Sequence, residues 1–166
     1  MRCYVIMGVA GCGKTSVGAA VAARTVMTFV DGDTLHPRSN IEKISKGVPL
    51  EDDHRAPWLV DVGKTLAEIK GPSIIGCSAL KRHYRDIIRD AAQEAVCFLH
   101  LDAPKPIVAE RMAARRGHFM PISLLDSQYA VLEPLEADEI GRRVDIAQPF
   151  EDVVRDGELY MKEMLG

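Results

Sequence analysis

The chain has 166 residues, of which 47% are hydrophobic and 27% charged, and this composition suits one soluble domain with one core. Its 21 basic and 24 acidic residues give a formal net charge of −3. This charge argues against a general nucleic-acid binder, because such proteins carry a strong excess of basic residues. The four cysteines show no metal-ligand spacing and no CxxC pair, so we expect reduced thiols and a cytoplasmic protein. No apolar run approaches the roughly 18 residues of a membrane span, so we expect no membrane partner.

Short apolar runs alternate with helical patterns along the chain. The runs predict strands at residues 2–7, 27–30, 72–78, 95–101 and 143–147. The helical patterns cover residues 15–24, 37–46, 52–70, 81–94, 103–116, 122–132 and 150–165. Because the apolar runs lack polar alternation, they indicate parallel strands that are covered on both faces. The alternation predicts a single α/β domain over 1–166, with an open five-stranded parallel sheet flanked by helices.

The first predicted strand leads into a glycine-rich loop and then a helix. The motif GxxxxGKT begins at Gly8 and ends at Thr15, in the strand–loop–helix context that a P-loop requires. Glycines let backbone N–H groups surround a phosphate, and the helix N-terminus adds further donors. Lys14 can reach the β- and γ-phosphates, and the Thr15 hydroxyl can bind Mg²⁺. We interpret the Cys12 side chain as incidental, with a redox role as the alternative. The predicted nucleotide-binding residues here are Gly8, Val9, Ala10, Gly11, Cys12, Gly13, Lys14, Thr15 and Ser16.

The second predicted strand is followed by the sequence DGDTLHP. Its two acids lie where an acceptor substrate can meet the terminal phosphate, and Asp33 is a candidate to orient an alcohol and accept its proton. Asp31 or Asp33 can also hold Mg²⁺ through water. His36 follows directly and is a candidate substrate contact. The alternative is an ordinary turn, because Asp-Gly-Asp is favourable turn chemistry.

The third predicted strand ends at a serine and is followed by a basic helix start, in the sequence CSALKRHYRDIIR. Together with Arg55 from the preceding helix, Lys81, Arg82 and Arg85 could bind an anionic or polyhydroxylated substrate. Arginine suits a carboxylate because its guanidinium can donate two parallel hydrogen bonds. At least two of these four cations are expected to be ordinary surface charges.

The helix after the fourth predicted strand ends in the sequence ERMAARRGHF. Arg111 and Arg115 are four residues apart, and Arg116 is adjacent. This arrangement indicates a mobile lid, approximately residues 111–132, that brings arginines over the phosphates and excludes water. His118 follows the arginines and is a candidate substrate contact. The alternative is a solvated helix face whose arginines pair with a neighbouring glutamate.

The fifth predicted strand leads into the sequence VDIAQPFEDVV. Gln148 and Pro149 could shape a backbone contact to the adenine of a bound nucleotide. The alternative is a helix start with proline near its first turn, which is equally favourable. The two interpretations cannot be separated on sequence.

Segments in order along nearly the whole chain resemble the small P-loop gluconokinases. They are GVAGCGKTSVG, DGDTLHPRSNIEKISKGVPLEDDHRAPWL, CSALKRHYRDIIR, RRGHFMPISLLDSQYAVLEPLEADE and VDIAQP. The second segment is far more specific than the P-loop, which related shikimate and adenylate kinases share. Two departures are mild: Ser45 replaces a usual methionine, and Asp53-His54 replaces a common Asp-Asp pair. The MPISLL stretch also varies, outside the expected chemistry.

The resemblance implies ATP-dependent phosphorylation of D-gluconate at its 6-hydroxyl, with Mg²⁺, in a homodimer. It also implies a lid and a substrate-binding helical region, approximately residues 34–58. In this hypothesis the transferring charge is stabilised by lid arginines, chiefly Arg116, and the nucleotide also contacts Arg111 and Arg115. The predicted catalytic residues are Lys14, Asp33 and Arg116. The predicted substrate-binding residues are Asp33, His36, Arg55, Lys81, Arg85 and His118.

Other function classes remain open on sequence. One is a kinase for another small acceptor, such as shikimate or a nucleoside monophosphate. Another is a nucleotide-binding regulator without useful phosphoryl transfer. A GTPase switch is disfavoured because the chain lacks a DxxG and NKxD pair, and a nucleic-acid 5′-hydroxyl kinase is disfavoured because no aromatic and basic strand platform is evident.

Overall fold

The structure is a computed structural model that describes residues 1–48, 50–114 and 122–166. Its strands are β1 Cys3–Met7, β2 Thr28–Asp31, β3 Ser73–Gly76, β4 Val96–Asp102 and β5 Gly141–Asp145. Its α-helices are α1 Lys14–Thr25, α2 Arg38–Ser45, α3 Asp52–Glu68, α4 Arg82–Ala92, α5 Lys105–Ala114, α6 Ile122–Val131 and α7 Phe150–Leu165. A 3₁₀ turn, Gly32–Leu35, connects β2 to α2.

The five strands form one parallel sheet in the order β2-β3-β1-β4-β5. The predicted five-stranded α/β sheet is therefore confirmed. All carboxyl ends lie at the same edge, and β1 occupies the centre of the sheet. The loop that follows β1 consequently lies in the middle of this edge, where ligands bind in open α/β sheets.

The sheet separates two hydrophobic clusters because side chains alternate across each buried strand. Tyr4 and Ile6 of β1 pack on the side covered by α1 and α7. Cys3, Val5 and Met7 pack on the other side, which α3 and α4 cover. Burial on both faces explains why the strand sequences are continuously apolar, as parallel strands of this class require.

Close backbone approach shapes the carboxyl edge of the sheet. A Cβ atom on Gly32 would lie 2.1 Å from the Gly76 carbonyl oxygen, so no side chain fits there. The chain after β2 therefore packs directly against the end of β3. This contact holds Asp31 and Asp33, which flank Gly32, at the same edge as the loop after β1.

One predicted substrate-binding cation is instead part of the core. Arg85 lies on the buried face of α4 with Tyr84 and Ile88, and its side chain is fully buried. Its Nε donates to Glu139 Oε1 at 2.7 Å. A buried guanidinium is stable only with such partners. In the part of the chain that the structure describes, no helix is long and apolar enough to cross a bilayer.

Candidate active site

An open cavity of about 430 Å³ lies at the carboxyl edge of the sheet. On one side it is lined by the loop after β1 and the start of α1, through Ala10, Gly11, Gly13, Lys14, Thr15 and Ser16. Facing them are polar and aromatic side chains from β2, β3, α3 and the turn between them, namely Asp31, Asp33, His36, Arg55, Trp58 and Ser78. The remaining lining residues are Ile44, Val48, Leu50, Met112, Leu124 and Gln128. The volume suits small ligands.

The loop after β1 has the features of a phosphate site. Gly13 has φ of +96° and immediately precedes α1, whose first turn contains no acidic residue. The unpaired N–H groups and positive end of the helix dipole are therefore not neutralised by a neighbouring carboxylate. Lys14 Nζ donates to the carbonyl oxygens of Gly8 at 2.9 Å and Val9 at 3.0 Å. Its ammonium thus lies over the loop, where it can attract a polyphosphate.

Cys12 lies beneath this loop rather than in the cavity wall. Its side chain is buried, and burial raises the pKa of the thiol although nearby Lys14 opposes the shift. A protonated, buried thiol is a poor nucleophile and a poor redox group. These properties favour the incidental interpretation. Gly8 and Val9 also lie outside the cavity lining, although their carbonyls hold Lys14.

The acidic turn after β2 is held by its own hydrogen bonds and leaves the Asp33 carboxylate without a hydrogen-bond donor among the described residues. Asp31 Oδ1 accepts from the Asp33 N–H at 3.0 Å, and the Asp31 carbonyl accepts from the Thr34 hydroxyl at 2.7 Å. Within residues 1–48, 50–114 and 122–166, no group donates a hydrogen bond to the Asp33 carboxylate. The Asp33 side chain is exposed to the cavity, but the protein around it removes part of its hydration and so raises the pKa of its carboxyl group, with an opposing effect of Lys14 and a further increase from Asp31. A carboxylate of this kind is a suitable proton acceptor.

His36 is held in the cavity wall by aromatic stacking. Its ring lies 3.8 Å from that of Trp58, centroid to centroid, with an interplanar angle of 18°. The Trp58 indole Nε1 donates to the Gly32 carbonyl at 2.8 Å, which connects the stack to the acidic turn. Burial, together with the positive charge of Arg55, lowers the pKa of His36 to about 4. The imidazole is therefore neutral at pH 7.

Arg55 and Lys81 are two of the predicted substrate-binding cations, and both lie against the ring of Tyr84. Arg55 Nε donates to the Leu50 carbonyl at 3.3 Å. Its two terminal nitrogens have no hydrogen-bond partner among the described residues, so they can bind a carboxylate. Arg55 and Lys81 lie 5.3 Å and 5.4 Å from the centroid of the Tyr84 ring. Lys81 Nζ also lies 3.6 Å from Asp52 Oδ1, and Lys81 is not among the residues that line the cavity.

The structure does not support Arg85 as a substrate ligand. Besides the Nε bond to Glu139, its Nη2 donates to the second oxygen of that carboxylate at 3.0 Å, and its Nη1 donates to the Ala79 carbonyl at 2.9 Å. The side chain has no exposed surface and does not line the cavity. Because its donors are already paired inside the protein, it cannot reach a ligand without breaking the core.

Three of the predicted nucleotide contacts lie outside the cavity lining, namely Arg111, Gln148 and Pro149. Arg111 Nη2 donates to the Gln148 carbonyl at 3.4 Å, and Pro149 immediately precedes α7. The position of Pro149 at the start of α7 agrees with the alternative interpretation of a helix start. Arg115, Arg116 and His118 lie outside the described residues.

Sequence reasoning missed several cavity residues. Ser78 was noticed only as the end of a strand, although its position at the carboxyl edge was a usable signal. The sequence pattern assigned no role to Trp58, which also lines the cavity. Gln128 of α6 had no sequence signal, and its Oε1 accepts from the Ala10 N–H at 2.6 Å. These residues come from separate elements, so only the tertiary fold brings them to one cavity.

The donors at this edge suit Mg²⁺. Thr15, Asp31 and Asp33 all line the cavity and offer hard oxygen ligands. Among residues 1–48, 50–114 and 122–166 there is no group of three or more His, Cys, Asp or Glu that could hold a metal alone. Such a sparse set fits Mg²⁺, which binds through one or two protein oxygens, water and substrate phosphates.

Similarity to known proteins agrees with this geometry. The family model described as shikimate kinase matches residues 10–136. The thermosensitive gluconokinase of Escherichia coli K12 is 46% identical over 139 residues, which cover 82% of this chain and 74% of that protein. The chain belongs to the gluconokinase family, among the shikimate-kinase-like P-loop kinases.

Two further members of the gluconokinase family match nearly the whole chain. The thermoresistant gluconokinase of Escherichia coli K12 is 43% identical over 155 residues, covering 91% of this chain and 88% of that protein. The crystal structure of a gluconokinase from Sinorhizobium meliloti 1021 superposes with a TM-score of 0.89 at 44% identity, covering 99% of this chain and 95% of that one. This membership makes the chain a phosphotransferase with an alcohol acceptor.

Proposed function

We propose that the protein transfers the γ-phosphoryl group of ATP to the 6-hydroxyl of D-gluconate, giving 6-phospho-D-gluconate and ADP. The observation that carries this proposal is the single cavity shared by the P-loop and Asp33, whose carboxylate is free of protein donors in the described chain. A phosphate-binding loop and a proton acceptor in one cavity are the parts that phosphoryl transfer to an alcohol needs. Family membership supports gluconate as the acceptor.

The nucleotide occupies the P-loop side in this proposal. The loop N–H groups and Lys14 hold the β- and γ-phosphates at the N-terminus of α1. No acidic side chain in the first turn of this helix competes with the phosphates for these donors. The adenine lies near Gln148 and Pro149, beside Arg111. Arg115 and Arg116 complete the lid, with Arg116 stabilising charge on the transferring group.

The acceptor hydroxyl lies at Asp33. As the O6–phosphorus bond forms and the bond to the ADP oxygen breaks, the hydroxyl proton moves to the Asp33 carboxylate. The raised pKa of Asp33 makes its carboxylate a stronger base than an ordinary aspartate. Lys14 lowers the pKa of the same group, which indicates that the base and the phosphate-binding cation lie within electrostatic reach of each other.

The sugar acid is held at its other groups by residues of the helical region 34–58. The free terminal nitrogens of Arg55 can bind the carboxylate as a bidentate pair. His36 contacts a hydroxyl oxygen from the cavity wall. We also assign Lys81 to the rim of the substrate site and His118 to the lid side.

Mg²⁺ belongs to the proposal as the usual companion of ATP. The Thr15 hydroxyl would hold it directly, and Asp31 or Asp33 would hold it through water. When bound, the ion neutralises charge on the phosphates. The protein's own part is to supply these oxygen ligands at the end of the P-loop.

We further propose a cytoplasmic homodimer. The four cysteines are free and buried, as expected in a reducing compartment. The dimer follows from the family resemblance. Size-exclusion chromatography with light scattering tests the dimer, and a monomer at micromolar concentration would contradict it.

Product analysis tests the proposed function directly. Incubation of the protein with MgATP and D-gluconate is expected to give a product heavier by one phosphoryl group, with one ADP formed per product. NMR of the product should place the phosphate on O6. Parallel reactions with shikimate and without any acceptor serve as controls. Equal turnover of shikimate, or ADP formation without a phosphorylated acid, would contradict the proposal.

A further inference from the structure

We propose that Asn40 is a positioning residue that holds the neutral His36 ring in the tautomer with its proton on Nε2, so that His36 donates a hydrogen bond to the acceptor substrate. The identity of that substrate as a sugar acid rests on the proposed function above. The tautomer itself follows from contacts inside the protein.

The hydrogen bonds of Asn40 determine which way its amide points. Asn40 Nδ2 donates to the backbone carbonyl of His54 at 2.9 Å. A carbonyl oxygen can only accept, so the atom facing it must be the NH₂ group and not the amide oxygen. The His54 carbonyl therefore resolves the amide orientation that is otherwise ambiguous.

The same nitrogen then determines the protonation of His36. Asn40 Nδ2 lies 3.2 Å from His36 Nδ1. An amide NH₂ has two donor hydrogens and no acceptor function, so Nδ1 must be the unprotonated, accepting nitrogen. A neutral imidazole carries one proton, which leaves it on Nε2.

The surroundings hold the ring rigidly and keep it neutral. Asn40 and His36 are only 2% and 8% exposed, and Trp58 stacks on the ring. The charged residues that line the cavity with His36 are Arg55, Asp31 and Asp33 on its own side and Lys14 on the P-loop side. Of these, Arg55 opposes an imidazolium, and burial opposes it further. The described chain offers no hydrogen-bond partner to Nε2, so its N–H is available to a ligand.

A donor at this position complements its neighbours. A substrate hydroxyl has a proton to donate and an oxygen that accepts. The Asp33 carboxylate can accept a hydrogen bond from the substrate hydroxyl, and the Nε2–H of His36 can donate one to a substrate oxygen. The opposite tautomer would present a second acceptor beside Asp33 and leave substrate oxygens without a donor. Asn40 therefore acts on substrate binding through His36 without touching the substrate.

The test begins with the tautomer, which needs no substrate. Long-range ¹H–¹⁵N correlation spectra of the histidine-labelled protein at pH 7 are expected to show His36 with a pyridine-type Nδ1 and a protonated Nε2. His36→Gln assigns the signals. An Nδ1–H tautomer or an imidazolium in the wild-type protein would overturn the proposal, even if no variant folds.

The variant Asn40→Asp then tests the consequence. A carboxylate at position 40 only accepts, so Nδ1 becomes protonated and the NMR pattern changes to the other tautomer or to the imidazolium. We expect the KM for gluconate to rise about tenfold, the loss of one good hydrogen bond, with the KM for ATP unchanged. Ser39→Asp, an exposed neighbour on α2, adds the same charge without the contact and should leave both values unchanged.

The two readouts separate this proposal from the function. A wild-type Nε2–H tautomer without gluconate phosphorylation would contradict the function and leave the assignment of the ring intact. Phosphorylation of gluconate with an unchanged KM in a folded Asn40→Asp protein would overturn the positioning role of Asn40.

Discussion

Asp33 combines the geometry of a turn with the electrostatics of a base. The backbone N–H of Asp33 donates a hydrogen bond to the Asp31 side chain, so the turn is held without any bond to the Asp33 carboxylate. That side chain opens into the cavity, yet the surrounding protein displaces enough water to raise its pKa. A residue that stabilises the fold would show the opposite shift, because stabilising partners lower the pKa of a carboxyl group.

Asp33→Asn is expected to lower kcat at least about 100-fold, because the side-chain amide cannot accept the hydroxyl proton. The folded pKa lies above the unfolded one, so ionised Asp33 opposes folding at pH 7. The variant should therefore unfold at the same or a higher temperature. Kinetics and thermal unfolding measure both effects.

In the wild-type protein, kcat/KM should fall at acidic pH with an apparent pKa above the ordinary aspartate value of 3.8. Asp31→Asn is the matched control, since it keeps the base and should retain measurable turnover. Near-normal activity of Asp33→Asn would contradict the assigned base.

At the scale of elements, a buried ion pair fastens α4 to the segment before β5. Glu139 accepts from Arg85, from Arg89 Nη2 at 2.5 Å, and from the Glu136 N–H at 2.8 Å. Burial by itself raises the pKa of Glu139, but these hydrogen bonds outweigh it and lower the pKa to about 2. The lowered pKa means that the carboxylate contributes stability above pH 4.5 and loses it as the pH falls towards 2.

The same ion pair supports the floor of the cavity. Arg85 donates to the carbonyl of Ala79, a residue with φ of +44° in the loop after β3. The preceding carbonyl, of Ser78, accepts from the Gly8 N–H at 3.2 Å. The pair therefore connects α4 to the loop after β3 and, through Ser78, to Gly8, the first residue of the P-loop.

Glu139→Gln is expected to lower the free energy of unfolding by about 3–5 kcal/mol, because Arg85 stays charged in a buried site without its counterion. Urea unfolding at pH 7 measures this. The double variant Arg85→Met, Glu139→Leu should lose much less, since it removes both charges. Glu136→Gln, at the exposed partner of Arg82, should cost under about 1 kcal/mol and serves as the control. Equal losses at positions 136 and 139 would contradict the buried-pair argument.

At the scale of the whole molecule, the P-loop lies under parts of the chain distant in sequence. Gln128 of α6 accepts from the Ala10 N–H, and Met112 of α5 lies against Gly11 so closely that a Cβ there would meet its Cγ at 2.4 Å. We therefore expect nucleotide binding at the loop to affect α5 and α6 as well as α1. Ligand binding should consequently stabilise the fold as a unit.

MgATP at 100 times its Kd is expected to stabilise the protein by about 2.7 kcal/mol, and thermal unfolding measures this as a higher Tm. Lys14→Ala should lose most of this stabilisation because the phosphates lose their principal cation. Lys64→Ala, an exposed lysine of α3, is the control and should retain it. Full retention in Lys14→Ala would contradict the assigned phosphate site.

The amino-acid sequence by itself determined the strand–helix alternation, the five parallel strands and the P-loop. These features are encoded within short stretches, as apolar runs, helix periodicity and GxxxxGKT. It also indicated that Asp31, Asp33, His36 and Arg55 would lie near the phosphate site, and the structure brings all four into one cavity wall.

Only the tertiary structure decided the roles of Arg85, Trp58 and Gln128. The partner of Arg85 lies 54 residues away, so nothing near it in the chain distinguished a buried ion pair from a substrate ligand. Trp58 meets His36, and Gln128 meets Ala10, 118 residues away, because the sheet order brings separate crossovers to one edge. Such contacts depend on which elements become neighbours, and a local pattern of residue types does not encode that.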